Sequence, residues 1–215
     1  MEYVKICGLK KPEEISLCAE KGANAVGFIY NVPSSPRNLK KTEINNLLNN
    51  ISNEILTVVV SKPRSVDELK KIVNDIKVNY YQIHSNMNIE ELRSISKELK
   101  EKIILALKLN HSNLQEIIIK INELHDSFFA ILIDNSEGHG NKLEISIIKE
   151  LMENISETKI ILAGGISIDN IEDIIKKLKP YGIDVSSSLE SKKGVKNPIK
   201  IKKFLDKIKE IKKKI

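Results

Sequence analysis

The chain has 215 residues, of which 41% are hydrophobic and 30% charged, the composition of an ordinary soluble globular protein. Its net charge of +6 favours anionic partners, but the absence of tryptophan and the 4% aromatic content argue against base-stacking on nucleic acid. Two cysteines, Cys7 and Cys18, form no disulfide framework, and no stretch resembles a signal peptide or a membrane span. We therefore expect a cytoplasmic protein with reduced thiols.

Short apolar runs alternate with helix-like segments along the whole chain. The predicted strands are 3–7, 23–30, 54–60, 80–84, 102–107, 128–134, 159–163 and 182–186. The predicted helices are 13–21, 42–49, 65–74, 88–99, 112–124, 143–152, 167–178 and 197–215. Strict alternation of eight strands with eight helices predicts a single α/β domain over 1–215, a parallel eight-stranded (βα)8 or TIM barrel. An open, doubly wound sheet is the alternative, because alternation alone does not prove closure.

The last predicted helix is rich in lysine and could suggest a nucleic-acid partner. Its apolar residues lie at 201, 204, 205, 208 and 211, which form one helical face. This pattern favours a surface helix that packs on the barrel with its lysines in solvent. We therefore expect neither a nucleic-acid nor a membrane partner.

Ligands of parallel barrels bind where the strands end, so the residues at those ends are the candidate site. The predicted strand ends and following loops carry Cys7, Arg37, Gln82, His84, Asp134, Gly164, Gly165, Asp184, Ser186, Ser187 and Ser188. Because side chains alternate along a strand, Lys5 and Cys7 face the barrel interior if Val4 and Ile6 face the helices. Asp134 likewise shares a face with Leu132, so a cysteine and an aspartate could act at the rim as base and acid.

The pair Gly164-Gly165 precedes a predicted helix and has two readings. A tight turn is the simpler one. Backbone N–H groups without neighbouring Cβ atoms can also bind phosphate, and barrels often build such a site after strands seven and eight. The serines at 186–188 would add donors from the neighbouring strand, which favours the phosphate site.

Six motifs together resemble the phosphoribosylanthranilate isomerase family of tryptophan biosynthesis. They are Lys5-Ile6-Cys7-Gly8, Gly27-Phe28-Ile29 followed by Ser35-Pro36-Arg37, Gln82-Ile83-His84, Leu132-Ile133-Asp134, Leu162-Ala163-Gly164-Gly165 and Val185-Ser186-Ser187. The resemblance implies a barrel enzyme, monomeric or homodimeric, that needs no cofactor or metal and isomerises a small phosphorylated substrate. It makes Cys7 the general base and Asp134 the general acid, and it places the anthranilate carboxylate on Arg37.

The resemblance also implies that the substrate phosphate binds at Gly164, Gly165 and the serines after strand eight. Gln82, His84 and Asp184 are expected to line the same pocket. A thiolate at Cys7 needs stabilisation, because an ordinary thiol has a pKa of about 8.5. Lys5 lies about 7 Å away along the strand, so it is a candidate long-range helper of the thiolate, while a charge pair deeper in the barrel is the preferred role. An aspartate that donates a proton needs a raised pKa, and burial could supply it.

Three loops depart from the family pattern. Ser188 replaces a glycine beside the expected phosphate, Ser85 replaces another glycine, and 138–141 stands in for a glycine-rich run. These changes bear on substrate affinity more than on reaction type. Two rivals stay open, a histidine-pathway isomerase, which is expected to carry aspartates at strands one and five, and a phosphate-binding barrel without catalysis.

Overall fold

The computed structural model describes residues 1–49, 51, 54–124, 127–134 and 143–214. Eight parallel strands form a closed barrel, because the first strand pairs with the second on one side and with the last on the other. The predicted (βα)8 barrel is thus confirmed, and the open doubly wound sheet is excluded.

The barrel strands are β1 (Tyr3–Cys7), β2 (Ala25–Tyr30), β4 (Leu56–Ser61), β5 (Tyr80–His84), β6 (Ile103–Lys108), β7 (Ala130–Asp134), β8 (Ile160–Ala163) and β9 (Gly182–Val185). Three short strands lie outside the barrel order: β3 (Asn38–Leu39), β10 (Glu190–Lys192) and β11 (Val195–Lys196). The helices are α1 (Pro12–Glu20), α2 (Lys41–Leu48), α3 (Val66–Asp75), α4 (Ile89–Ser94), α5 (Lys97–Lys100), α6 (Leu114–Leu124), α7 (Ile145–Glu153), α8 (Ile171–Leu178) and α9 (Pro198–Lys212). None of the helices in these described ranges could cross a membrane.

Local backbone conformation and hydrogen bonding account for two differences from the predicted helices. The helix predicted over 88–99 is two helices, because Ile95 is extended and buried and Ser96 occupies the N-cap of α5. The helix predicted from residue 167 begins four residues later. There the Asn170 side chain accepts from the Ser167 N–H at 2.8 Å and donates to the Gly165 carbonyl at 2.8 Å, which holds a turn ahead of α8.

Side chains of β1 alternate between two cores, as predicted. Val4 and Ile6 pack outward in the layer shared with the helices, whereas Cys7 packs in the barrel interior. Lys5 also points inward and is completely buried. The interior therefore holds charge below the rim, and that charge bears directly on Cys7. On the outside, the apolar face of α9 is buried as its spacing predicts.

Candidate active site

A cavity of about 510 Å³ opens at the carboxyl ends of the barrel strands. This volume lies in the usual range for small-molecule sites. Ten of the eleven predicted site residues line it: Cys7, Arg37, Gln82, His84, Asp134, Gly164, Gly165, Asp184, Ser186 and Ser187. The eleventh, Ser188, does not line it, and its buried hydroxyl lacks a hydrogen-bond partner within the described part of the chain. The variant loop at 138–141 lies outside the described residues.

Lys5 and Asp184 form an ion pair in the barrel interior. The two residues are direct partners in the β1–β9 register, and Lys5 Nζ lies 2.6 Å from Asp184 Oδ2. Their side chains are 0% and 7% exposed. The pair raises the pKa of Lys5, because Asp184 and then Cys7 outweigh the effect of burial. The preferred prediction for Lys5, a charge pair inside the barrel, describes this contact.

The same ammonium group also lies beside the Cys7 sulfur. A Cβ placed on Gly27 would be 3.0 Å from Cys7 Sγ and 3.2 Å from Lys5 Nζ, so both groups fill the space that Gly27 leaves open. Gly27 is the β2 partner of Cys7 in the register. The spacing of about 7 Å along β1 separates the two backbone positions, and the long lysine side chain brings its ammonium close to the sulfur.

Opposing effects set the pKa of the Cys7 thiol. Burial raises it and is the largest effect, while the positive charge of Lys5 lowers it. Asp184 raises it and Lys196 lowers it, and the net pKa is above the ordinary value. The resting thiol is therefore protonated near neutral pH, and Lys5 is the strongest influence that favours the thiolate.

Gln82 and His84 project into the cavity from alternate positions of β5. Their Nε2 atoms are 3.1 Å apart, so the imidazole accepts when the amide nitrogen donates. Burial lowers the pKa of His84 to about 4, against the opposing charge of Asp134. His84 is consequently neutral at physiological pH and can contribute hydrogen bonds but no positive charge.

Arg37 is held by a carboxylate that the sequence reasoning did not assign. Its Nε and Nη2 atoms donate to the two oxygens of Glu190 at 2.6 and 2.8 Å. Glu190 also accepts from Lys196 Nζ at 3.0 Å and from the Gly194 N–H at 2.9 Å. Burial alone would raise the pKa of Glu190, but these donors lower it to about 2. Glu190 thus holds the Nε–Nη2 edge of the guanidinium, and the outer edge at Nη1 forms no hydrogen bond within the described residues.

The loops after β8 and β9 form the adjoining wall, and the β9 loop reaches Arg37 through Glu190. Gly164 and Gly165 have φ angles of +84° and +64°, which favour glycine and turn the backbone sharply. Ser186 Oγ donates to the Cys7 carbonyl at 3.0 Å, so this hydroxyl links the wall to β1. A one-turn 3-10 helix over Ser187–Leu189 follows.

Several residues of the site were missed by sequence reasoning. Gly27 escaped notice because it was read only as part of a motif, and Glu190 because its contact with Arg37 spans 153 residues. Lys192 and Lys193 line the cavity from the β10–β11 hairpin, which lay inside a segment predicted to have no strand. Across the described ranges, no three His, Cys, Asp or Glu residues are grouped so that they could hold a metal ion.

Comparison with known proteins links this geometry to one family. The sequence model of N-(5'-phosphoribosyl)anthranilate isomerase matches residues 4–207. The isomerase of Methanococcus vannielii is 33% identical over 98% of this chain and 99% of its own length. That of Methanocaldococcus jannaschii is 32% identical over 97% of each.

Solved structures of phosphoribosylanthranilate isomerases are also similar to this chain. A phosphoribosylanthranilate isomerase in complex with reduced 1-(o-carboxyphenylamino)-1-deoxyribulose 5-phosphate is 26% identical, with a TM-score of 0.81 over 98% of this chain and 100% of that one. The Thermotoga maritima isomerase has a TM-score of 0.82 and 25% identity over 98% and 100% of the two chains.

Proposed function

The chain belongs to the N-(5'-phosphoribosyl)anthranilate isomerase family, and we propose that Cys7 and Asp134 transfer the protons of that family's reaction. The reaction is an Amadori rearrangement in tryptophan biosynthesis. It converts the aldose N-(5'-phosphoribosyl)anthranilate into the ketose 1-(2-carboxyphenylamino)-1-deoxyribulose 5-phosphate. The observation that carries the proposal is the shared cavity, which Cys7 and Asp134 both line from strands on different sides of the barrel.

Asp134 acts first, as the general acid. Its carboxyl proton goes to the furanose ring oxygen, the bond from that oxygen to C1′ breaks, and the nitrogen lone pair forms the C1′–N double bond of a Schiff base. The Cys7 thiol loses its proton to solvent, and the thiolate then removes the proton from C2′ while the electrons of that C–H bond flow toward the positively charged nitrogen. The resulting enolamine tautomerises to the ketose.

Lys5 favours ionisation of the Cys7 thiol. Burial opposes ionisation of Cys7, and the neighbouring ammonium is the largest influence in the other direction. Asp184 keeps that ammonium in place and charged through the 2.6 Å ion pair. We therefore assign Lys5 and Asp184 as positioning residues that act through Cys7.

The two ends of the substrate bind at different parts of the cavity wall. The outer edge of Arg37 receives the anthranilate carboxylate, while Glu190 holds the inner edge and sets the orientation. The phosphate binds the backbone around Gly164 and Gly165 with the hydroxyl of Ser187. Neutral Gln82 and His84, Ser186 at the β9 end, and Ser188 behind the wall complete the surroundings.

Three broader assignments accompany this function. We propose that residues 1–215 form one domain, because pairing of β1 with β9 joins residues 3–6 to 182–185 in one barrel. The proposed groups all come from one chain, so the reaction works in a monomer and in a homodimer alike. The enzyme acts in the cytoplasm, where a reducing environment keeps the Cys7 thiol available.

Steady-state turnover of freshly made phosphoribosylanthranilate tests the proposal. We expect substrate fluorescence to decay with wild-type protein. Cys7→Ala, which removes the base and little volume, should lower kcat by about 10²–10⁴. A wild-type protein that leaves the decay at the background rate overturns the function. A Cys7→Ala variant within about threefold of wild type overturns the role of the thiol alone.

A further inference from the structure

The turn between β10 and β11 presents two lysines to the cavity. Lys192 ends β10, Lys193 starts the turn, and both line the cavity while remaining solvent-exposed. Neither side chain forms a hydrogen bond or an ion pair with any residue that the structure describes. Their positive charges are therefore available to a ligand.

The other cations of the site are already engaged. Lys5 is paired with Asp184 at 2.6 Å below the rim. Arg37 and Lys196 share the Glu190 carboxylate, at 2.6 and 3.0 Å. Arg37 keeps an outer edge that suits one planar carboxylate, but a second anionic group would need charge from elsewhere.

The hairpin that carries the lysines is anchored. The Gly194 N–H donates to Glu190 Oε2 at 2.9 Å, across the turn. Gly194 has a φ of +81°, and a Cβ on it would lie 2.9 Å from the Pro36 carbonyl oxygen, so the turn packs closely on the loop of Arg37. Lys200 Nζ adds a hydrogen bond to the Glu190 carbonyl at 2.8 Å. The lysines thus extend from a fixed base into the cavity.

We propose that Lys192 and Lys193 bind the phosphate dianion of the substrate. This inference rests on the proposed function, which places phosphate at Gly164 and Gly165. The donors of that wall are backbone N–H groups and the Ser187 hydroxyl, which form hydrogen bonds but carry no net charge. Lysine is a flexible point charge well suited to phosphate, and these two are the cavity-lining cations that no described carboxylate neutralises.

The test compares two double variants that lose the same charge. Lys192→Ala/Lys193→Ala removes the hairpin cations, whereas Lys202→Ala/Lys203→Ala removes two exposed lysines of α9 outside the cavity. Inorganic phosphate and anthranilate are titrated separately by calorimetry. We expect the hairpin variant to bind phosphate about 5–20-fold more weakly, the range for two solvent-exposed charge contacts. The hairpin variant should bind anthranilate within about twofold of wild type. The α9 variant should bind both phosphate and anthranilate within about twofold of wild type.

Turnover supplies a second readout. The hairpin variant should show a raised KM for phosphoribosylanthranilate with kcat nearly unchanged, and Lys192→Arg/Lys193→Arg should restore KM. If the double variant folds poorly, Lys192→Ala and Lys193→Ala are measured singly in the same assays. If the wild-type protein turns over substrate but the hairpin variant binds phosphate as tightly as wild type does, this inference is overturned and the isomerase assignment stands. Loss of anthranilate binding instead of phosphate binding overturns it as well. Absence of wild-type turnover overturns the proposed function, whatever the lysines bind.

Discussion

Removing the buried ammonium of Lys5 should destabilise the protein strongly. Lys5→Met keeps most of the side-chain volume but leaves Asp184 charged in the barrel interior, where its Oδ1 already lacks a hydrogen-bond partner within the described chain. The ion pair is 0% and 7% exposed, so water does not replace the lost partner. Breaking a buried pair in this way costs about 3–5 kcal/mol, a large share of the roughly 5–15 kcal/mol that stabilises a typical protein.

Urea unfolding measures this loss, with two comparison variants. Lys5→Met/Asp184→Leu removes both charges and should recover most of the stability, because neither charge is then left unpaired. Lys177→Met breaks the exposed pair with Asp173, whose side chains are 56% and 62% exposed, and should cost at most about 1 kcal/mol.

The same substitution should raise the pKa of the Cys7 thiol further. Lys5 is the strongest influence that lowers this pKa, and its loss leaves burial opposed only by the weaker effect of Lys196. The rate of iodoacetamide alkylation against pH reports the thiolate, in a Cys18→Ala background so that one thiol reacts. We expect slower alkylation at every pH below the plateau, with a parallel fall in kcat. A Lys5→Met protein as stable as Lys177→Met, with an unchanged alkylation profile, would refute the reasoning.

The remaining predictions concern the cavity walls. Asp134→Asn should lower kcat by about 10²–10⁴, because an amide cannot donate the ring-opening proton; an effect below about threefold contradicts the assignment. Arg37→Ala should mainly raise KM in the same assay, and a fall in kcat alone would contradict the carboxylate site. Gly27→Ala should cost about 1–3 kcal/mol in urea unfolding and lower kcat, since its Cβ would displace the ammonium or the thiol. The pKa of Glu190 is lowered to about 2, so its contribution to stability is present above about pH 4.5 and is lost as the pH falls toward 2. Between these pH values the free energy of unfolding should therefore fall by about 1–2 kcal/mol less in Glu190→Gln than in wild type. Identical acid titrations of the two proteins would contradict the role of this pair.

The local pattern of the sequence was enough to predict the architecture and the composition of the rim. Alternating apolar runs and helical segments indicate parallel units, and parallel strands bring their carboxyl ends to one face. Cys7, His84 and Asp134 could therefore be placed together before any contact was known. The period-two alternation of β1 likewise separated Lys5 and Cys7 from Val4 and Ile6.

Contacts between distant segments were decided by the tertiary structure alone. Barrel closure places Lys5 opposite Asp184 across 179 residues, and the missing side chain of Gly27 lets the ammonium reach the sulfur. Glu190 reaches Arg37 across 153 residues and turns a free loop cation into an oriented one. Spacing along one strand carries no information on such partners, because register and side-chain direction between strands are set by packing of the whole barrel. The sequence by itself thus determined which residues meet at the rim, whereas the fold decided which charges neutralise one another there.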